Sequence, residues 1–385
     1  ENAADHLTHF YLFFMPDFTR PVYAGRAWFA EAQRRFAALG GEHARAAVAA
    51  RQRWFELMGT LGGRWPHTHS LQPGGSSRAI DAAERLRLLT RVREFRVFLE
   101  RQLVGAPLEA LLALRSEAEL QAWVDAGDAG DLRFFLRLAA ATGLQALGRG
   151  PGRCLSYGAF VDSAGRPAFT PGLWQAGEVQ PLQTALITED ATHAWLAAGG
   201  APRHPADGLT VPEPDKPGAY TWNKAPRLAG QVAETGAVAR QLCSGQALVA
   251  DLAQRYGVTV LTRVVARLVE LARLVPLMEG WLQALSPREP FALPVTLPAD
   301  ASGCGLNEAA RGALGHWLRI ERGKLANYQI VAPTSWNFSP RDAAGTPGPL
   351  EQALVGAPVQ PGEATPVAVQ HIVRSFDPCM VCTVH

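Results

Sequence analysis

Two cysteines three positions apart, Cys379 and Cys382, stand near the end of the chain and are the residues best suited to chemistry. One turn of backbone brings such a pair together, so both sulfurs can bind one metal ion. Pro378 ends any helix that runs into the pair, and His385 adds an imidazole three positions further on. The spacing alone leaves four interpretations open: a metal centre, a redox-active pair, half a zinc site, or two core cysteines.

The other three cysteines, Cys154, Cys243 and Cys304, are isolated along the chain. A complete zinc site needs a second cysteine or histidine pair at matching spacing, and none of these three residues has such a neighbour in sequence. We therefore predict that all three are small hydrophobic residues buried in the core.

The overall composition is that of a globular protein with nearly balanced charge. The 385 residues include 37 Lys and Arg against 35 Asp and Glu, and 48% are hydrophobic, which excludes a disordered chain and gives no reason to expect nucleic-acid binding. Five cysteines, an odd and low number, argue against a secreted disulfide framework and favour a reducing, cytoplasmic location. No stretch of about 18 apolar residues is present that could span a membrane.

Most of the apolar periodicity is helical, and these helices must position the cysteine pair. An apolar face over 1–14 is ended by Pro16, and Leu86, Leu89, Val92, Phe95 and Phe98 follow helical spacing within a second segment. The full set of helical patterns covers 1–14, 42–57, 80–103, 117–125, 131–147, 234–240, 245–256 and 259–285.

Two regions have strand character instead. From about 149 to 228, Pro and Gly are frequent between short apolar runs, which indicates a small β-rich insert. Residues 317–320 and 327–331 flank a Glu-Arg-Gly-Lys turn, a pattern typical of a β-hairpin. The sequence therefore predicts an α+β fold that is mainly helical: one domain over 1–385, with a large helical core, the insert, and a C-terminal hairpin leading to the metal-binding end.

The C-terminal pattern Asp-Pro-Cys-x-x-Cys-x-x-His, at 377–385, resembles the second metal-binding signature of the large subunit of nickel-iron hydrogenases. Five further stretches are similar to that family in the same chain order, at 5–11, 62–67, 222–227, 308–317 and 332–342. Residues 13–18 and the ending 380–385 resemble in particular the regulatory, dihydrogen-sensing group of this family.

The resemblance implies a set of metal ligands. Cys379 would be a terminal nickel thiolate and Cys382 a thiolate that bridges nickel and iron, since soft thiolates suit both metals. The iron of the family also carries cyanide and carbon monoxide. His385 and the backbone carbonyl of Ile330 would bind a nearby magnesium ion, and iron-sulfur clusters would lie only in a partner subunit.

The resemblance also implies the residues around the metals. Arg311 would lie over the open nickel-iron position with Asp17 and Asp377 beside it, while Pro333 and Thr334 would pack on the diatomic ligands of the iron. Without the resemblance, a structural ion pair is the better interpretation of Arg311. Four histidines in the similar stretches are predicted to be buried, hydrogen-bonded residues without a catalytic role: His6, His9, His67 and His316.

The implied function is the heterolytic splitting of dihydrogen, with electrons passed to a small iron-sulfur subunit. The likeness to the sensing group predicts a regulatory hydrogen sensor of low turnover, with a sensor histidine kinase and maturation proteins as further partners. The alternatives are the large subunit of an energy-conserving uptake hydrogenase and, if the N-terminal cysteines of the family are truly absent, a non-catalytic relative.

One part of the family pattern is absent from the sequence. The first signature, an N-terminal Arg-x-Cys-Gly-x-Cys that supplies the other two metal thiolates, does not occur, and the chain begins at Glu1 within a helical pattern. We expect that an N-terminal segment carrying this signature precedes Glu1, and that the chain as given holds two of the four metal thiolates.

Overall fold

A computed structural model describes residues 1–162, 164–197, 199–287 and 289–379. The described residues form helices α1 (Asn2–Thr8), α2 (Phe29–Phe36), α3 (Glu42–Gly62), α4 (Ala82–Phe98), α5 (Leu108–Leu112), α6 (Glu117–Asp125), α7 (Asp131–Thr142), α8 (Ala237–Cys243), α9 (Ala247–Tyr256), α10 (Val260–Ala284), α11 (Pro333–Asn337), α12 (Pro349–Leu354) and α13 (Val367–Ser375). The strands are β1 (Leu71–Gln72), β2 (Gly75–Ser76), β3 (Arg153–Ser156), β4 (Ala159–Val161), β5 (Pro167–Phe169), β6 (Gly172–Gln175), β7 (Glu178–Gln180), β8 (Ile187–Asp190), β9 (Ala225–Leu228), β10 (Ala301–Ala309), β11 (Gly312–Glu321) and β12 (Lys324–Val331).

The chain divides into two compact units, and helix α10 contributes to both. The first unit comprises Glu1–Leu114, Glu119–Ala141 and Leu268–Leu297, and the second comprises Arg115–Ala118, Thr142–Arg267 and Pro298–His385. The mainly helical α+β fold is confirmed, whereas the single domain over 1–385 stays a prediction. In the part of the chain that the structure describes, no helix is both long and apolar enough to cross a membrane.

Two long helices, α3 and α4, pack on each other in the first unit. Trp54 and Phe95 bring their ring centroids to 4.4 Å across this contact. Asp81 begins α4 with a capping box, in which its carboxylate accepts a hydrogen bond from Glu84 N and the Glu84 carboxylate accepts one from Asp81 N. The helical spacing is confirmed, and among its residues Leu89, Val92 and Phe95 are buried, whereas Leu86 is 62% exposed.

The N-terminal helical pattern is confirmed, but it is not one regular helix. After α1 the chain forms a π-helical turn at His9–Phe14 and a 3₁₀ turn at Met15–Thr19. Pro16 has no N–H to continue the hydrogen bonding of the π-helical turn, and the chain forms the tighter 3₁₀ turn there. The apolar face is nevertheless buried, as Leu7, Phe10 and Phe14 are fully enclosed.

A single buried carboxylate, that of Asp131, ties the start of α7 to the rest of the first unit. It accepts hydrogen bonds from Tyr11 Oη at 2.7 Å, Arg35 Nη1 at 2.9 Å and Gln102 Nε2 at 3.1 Å, and His43 Nδ1 lies 2.8 Å away. Burial, together with the Asp131 charge, raises the pKa of Tyr11 well above its usual range, so this phenol stays a donor.

The segment at 149–228 contains the strands that its composition predicts. Strands β3, β6 and β7 form one antiparallel sheet, and β4 pairs with β5 and β8 with β9. Every residue of β3 is buried, and Cys154 on this strand packs with Trp174 and with Cys243 of α8.

The predicted C-terminal hairpin is confirmed as β11 and β12, but a third strand joins it. Strand β10 pairs with β11 along its whole length, from Ala301 opposite Ile320 to Ala309 opposite Gly312. The sequence of β10 has two glycines and no β-branched residue, so no strand signal marks it.

Cys304 lies on this strand and is exposed, so the prediction that it is a core residue was wrong, whereas Cys154 and Cys243 are buried as predicted.

Two observed helices begin or end at a different residue from the predicted one, and a glycine lies at the changed end in each case. The pattern at 234–240 becomes α8, which begins only at Ala237, because Gly236 takes a φ of 130° that an α-helix cannot contain. Glu234 is extended and pairs with β3, its N–H donating to Arg153 O and its carbonyl accepting from Leu155 N. Helix α7 ends at Thr142 because the following Gly143 has a φ of 72°.

These positions predict different reactivity among three cysteines. At pH 8, iodoacetamide should alkylate Cys304 at least about a hundredfold faster than Cys154 or Cys243, because burial raises the pKa of both core thiols, to about 12 for Cys243. Peptide mass spectrometry after timed quenching measures each rate. In urea the three cysteines should react alike, and equal rates in the folded protein would contradict the placement of Cys304.

Candidate metal centre

The C-terminal cysteine segment is reached through a sharp turn at Asp377. Helix α13 ends at Ser375, Phe376 still has helical angles, and Asp377 then adopts a φ of 56°. Aspartate tolerates this left-handed conformation better than most side chains. Asp377 is only 3% exposed, so the turn places its carboxylate inside the protein and sends the chain on towards Cys379.

Two arginines of α10 hold the end of α13. Arg263 Nη1 donates to Ser375 Oγ at 3.4 Å, and its guanidinium lies 3.7 Å from the centre of the Phe376 ring. Arg267 Nη1 donates to Ser375 O at 3.2 Å, and Arg267 Nε lies 3.9 Å from Asp377 Oδ2. Because both arginines are nearly fully buried, the position of Asp377 relative to α10 is closely determined.

The Arg263 guanidinium is itself held by a buried carboxylate. Its Nε and Nη2 donate to the two oxygens of Glu234 at 2.6 Å and 3.0 Å, and its Nη1 donates to Gly148 O at 2.8 Å. Such a bidentate pair fixes the plane of the guanidinium as well as its charge. The extended segment before α8 therefore supports the same turn.

Arg311 lies at the tip of the loop between β10 and β11 and meets this turn. Its Nε is 3.4 Å from Asp377 Oδ1, and the Arg311 side chain is 32% exposed against 3% for Asp377. The structure therefore brings together two of the predicted site residues. With Arg267 near the other oxygen, the Asp377 carboxylate faces two guanidinium groups.

Thr334 and Pro333 begin helix α11 on the other side of the cysteine segment. Pro333 occupies the first helical position, where the missing N–H costs nothing, and Thr334 is 4% exposed. Cys379 N donates to Thr334 Oγ1 at 3.4 Å, so these two predicted site residues are also neighbours. A hydroxyl that accepts this bond still has its own hydrogen to donate.

The remaining predicted site residues are placed as follows. Ile330 lies in β12 opposite His316, with its side chain about half exposed. Asp17 is buried in the first unit, and its predicted position beside Arg311 stays a prediction. Cys382 and His385 lie outside the described residues. Within 1–162, 164–197, 199–287 and 289–379, no group of three or more His, Cys, Asp or Glu side chains could hold a metal ion.

The four histidines are not all buried as predicted. His6 and His9 are buried, and His6 Nε2 lies 2.8 Å from Glu270 Oε1. His316 is partly exposed, and burial lowers its pKa. His67 is exposed with a φ of 61°, so the prediction of a buried residue was wrong there.

The sequence analysis did not identify the buried charged residues of α10, two of which hold the turn at Asp377. Arg263, Arg267 and Glu270 follow each other at helical spacing within an apolar helix, and all three are buried. A charge on an apolar helix face requires a partner, so this spacing was the signal available. The partners come from distant segments, such as Glu234, and no local pattern identifies them.

Comparison with known proteins shows the family to which this chain belongs. The family model described as nickel-dependent hydrogenase matches residues 38–385. The chain therefore belongs to the nickel-dependent hydrogenase family.

Individual relatives agree with this assignment. The periplasmic [NiFeSe] hydrogenase large subunit of Desulfomicrobium baculatum is 31% identical over 355 residues, which are 86% of this chain and 63% of the relative. An uptake hydrogenase large subunit of Azotobacter chroococcum is 32% identical over 291 residues, covering 60% of this chain and 48% of the relative. The chain thus spans less than two thirds of the length of these relatives.

Solved structures show the same fold. The reduced, active form of the Ni-Fe-Se hydrogenase from Desulfomicrobium baculatum superposes with a TM-score of 0.83 at 27% sequence identity. The match covers 100% of this chain and 80% of that chain. The family that the C-terminal pattern predicts is confirmed.

The buried charges at the turn predict unequal costs of mutation. Glu234→Ala leaves the buried Arg263 without its carboxylate, and we expect the free energy of unfolding to fall by about 3–5 kcal/mol. The control is Glu321→Ala, which removes an ion pair with Arg319 in which both side chains are about half exposed, and which should cost less than about 1 kcal/mol. Urea unfolding followed by circular dichroism measures both, and equal losses would be inconsistent with the buried pair.

Proposed function

We propose that this chain is the metal-binding large subunit of a nickel-iron hydrogenase that splits dihydrogen heterolytically. The observation that carries the proposal is the Arg311–Asp377 ion pair two residues before Cys379, with Thr334 Oγ1 on the Cys379 amide. This arrangement puts a guanidinium group beside Asp377 and a hydroxyl group at the amide of Cys379, whose side chain is a soft sulfur donor.

The described residues fit their share of a nickel-iron centre. Cys379 offers a soft sulfur ligand of the kind that nickel and iron prefer, and Cys382 would be the second. His385 and the Ile330 carbonyl would bind magnesium. When bound, the centre, with cyanide and carbon monoxide on its iron, supplies the Lewis-acid position at which dihydrogen is polarised.

The protein side chains would divide the remaining work. Arg311 keeps its positive charge at all physiological pH values, and Asp377 holds the guanidinium in place. The thiolate of Cys379 is a base that can accept the proton. Thr334 would donate its hydroxyl hydrogen to a cyanide of the iron, Pro333 would pack against the same diatomic ligands, and Asp17 would be the second carboxylate beside Arg311.

Electrons would leave through other proteins. We propose a small subunit with iron-sulfur clusters as the direct partner. Two of the five cysteines are assigned to nickel and iron, and the other three are fewer than the four that hold an iron-sulfur cluster. The relatives described above carry large-subunit names, which supports such a pairing. Maturation proteins would install the diatomic ligands.

Replacing Arg311 should remove activity without removing the metals. In the assembled heterodimer, we expect Arg311→Lys to lower the rate of exchange between deuterium gas and water protons by about 10²–10³-fold, because the ammonium cannot reproduce the fixed guanidinium. Arg319→Lys, an exposed change in the same strand pair, is the control and should stay within about twofold. Mass spectrometry of the gas phase gives the rate, and unchanged exchange in Arg311→Lys with full nickel content would refute the assigned role.

We further propose that the protein is a cytoplasmic hydrogen sensor. The support is the likeness of residues 13–18 and 380–385 to the sensing group, and the odd, low cysteine count supports the location. The names of the relatives favour the second candidate, an uptake hydrogenase. In either role the chemistry at the metals is the same.

Turnover and signalling distinguish the two roles. A sensor should oxidise dihydrogen slowly with artificial acceptors, and its deletion should abolish the dihydrogen response of a hydrogenase gene reporter through a histidine kinase. An uptake enzyme should show a high steady-state rate, and its deletion should leave the reporter response intact. High turnover with an unaffected reporter would overturn the sensor proposal, and cell fractionation tests the location.

A further inference from the structure

A fully buried arginine on α8, Arg240, holds the loop that carries Arg311. Its Nη1 donates to Glu308 Oε2 at 2.6 Å and to Ala309 O at 2.9 Å, and its Nη2 donates to Ala310 O at 2.9 Å. These three acceptors belong to the three residues immediately before Arg311. One rigid guanidinium therefore fixes the backbone that leads into the loop.

The carboxylate of Glu308 is fixed from its other side. Its Oε1 accepts a hydrogen bond from Tyr157 N at 2.7 Å, and both side chains of the Arg240–Glu308 pair are 0% exposed. The end of β10 is thus held between α8 and the residue that follows β3. A buried pair of this kind resists displacement, because any shift leaves a charge without its partner.

The far side of the loop is held by close packing. Gly312 has a φ of 137°, and a Cβ at this position would overlap Thr235 Oγ1. The backbone of Thr235 is in turn paired with Asn337, whose Oδ1 accepts from Thr235 N at 2.9 Å and whose Nδ2 donates to Thr235 O at 3.0 Å. Asn337 belongs to α11, the same short helix that carries Thr334.

Only Ala310 and Arg311 lie between β10 and β11, so the backbone of Arg311 has little independent freedom. We propose that Arg240 is a positioning residue for Arg311: by clamping Glu308, Ala309 and Ala310, it sets where the Arg311 guanidinium stands relative to Asp377 and Cys379. This inference rests on the proposed function of Arg311. Misplacement by about 1 Å is enough to lower a rate by about 10²-fold.

Hydrogen exchange of the backbone tests the clamp without any activity. In Arg240→Lys, the amides of 309–312 should exchange at least about tenfold faster than in the wild-type heterodimer, since an ammonium cannot reach all three acceptors. The control is Arg133→Lys in the first unit, where another buried arginine donates to Trp123 O, Val104 O and Ala129 O. That change should leave 309–312 unaffected, and equal exchange in Arg240→Lys and wild type would overturn the proposal.

A double-mutant cycle tests whether Arg240 acts through Arg311. We expect Arg240→Lys alone to lower the rate of deuterium exchange by about 10–100-fold, with full nickel content and an unchanged KM for dihydrogen. In the double mutant with Arg311→Lys, it should lower the rate by less than about twofold beyond the loss that Arg311→Lys causes alone. If the two single-mutant losses multiply in the double mutant, Arg240 has only a general structural effect, and the positioning role is overturned. If Arg240→Lys does not fold, Glu308→Gln replaces it in the same cycle, because this change keeps the two carbonyl acceptors of Arg240. Losses that multiply in that double mutant would also overturn the positioning role.

The two proposals fail in different ways. If the wild-type heterodimer with full metal content does not exchange deuterium, the proposed function is wrong, and the amide measurement still decides whether Arg240 holds the loop. If the wild type is active but Arg240→Lys keeps full activity with its loop amides released, the proposed function stands and the positioning role is wrong.

Discussion

The constraint on which the site depends is the set of arginines around the turn at Asp377. Arg263 and Arg267 reach it from α10, and Arg311 reaches it from the β10–β11 loop. A buried carboxylate or guanidinium without a partner costs several kcal/mol, so the three elements can come together only in the arrangement that pairs these charges. The cysteine segment begins directly after this turn, and its starting point is therefore determined by buried electrostatics more than by its own sequence.

Buried ion pairs of this kind contribute less to stability than to the choice of one arrangement. Removing Arg240 and Glu308 from water costs about as much as their attraction returns, and an apolar pair could fill the same space. The charged pair also opposes a shift in the register of β10, because such a shift would leave both buried charges without their partners. The pair lies next to the loop in which Arg311 needs a defined position. This need explains why a charged pair lies in the core at this point.

Local signals predicted the elements well where one physical cause dominates. Apolar patterning identifies α4, which buries one face, and α10, which is buried on all sides from Val260 to Ala272, and the β11–β12 hairpin follows from its turn. Prediction failed where tertiary contacts outweigh local preference. Strand β10 is a strand because β11 pairs with it, and Cys304 is exposed because β10 is an edge strand with most of its residues exposed. Helix α8 begins later than predicted because Glu234 pairs with the distant strand β3 and Gly236 then takes a φ of 130°, which an α-helix cannot contain.

The sequence by itself determined the family, because the pattern around Cys379 and five further stretches are linear motifs of residue type and spacing. The resemblance to that family then named Arg311, Asp377 and Thr334 as candidate site residues. Only the tertiary structure decided which of them meet, namely Arg311 with Asp377 and Thr334 with Cys379. It also revealed Arg240 and Glu234 as supports, because a buried charge is paired with whatever partner folding brings to it, and that partner has no fixed distance along the chain.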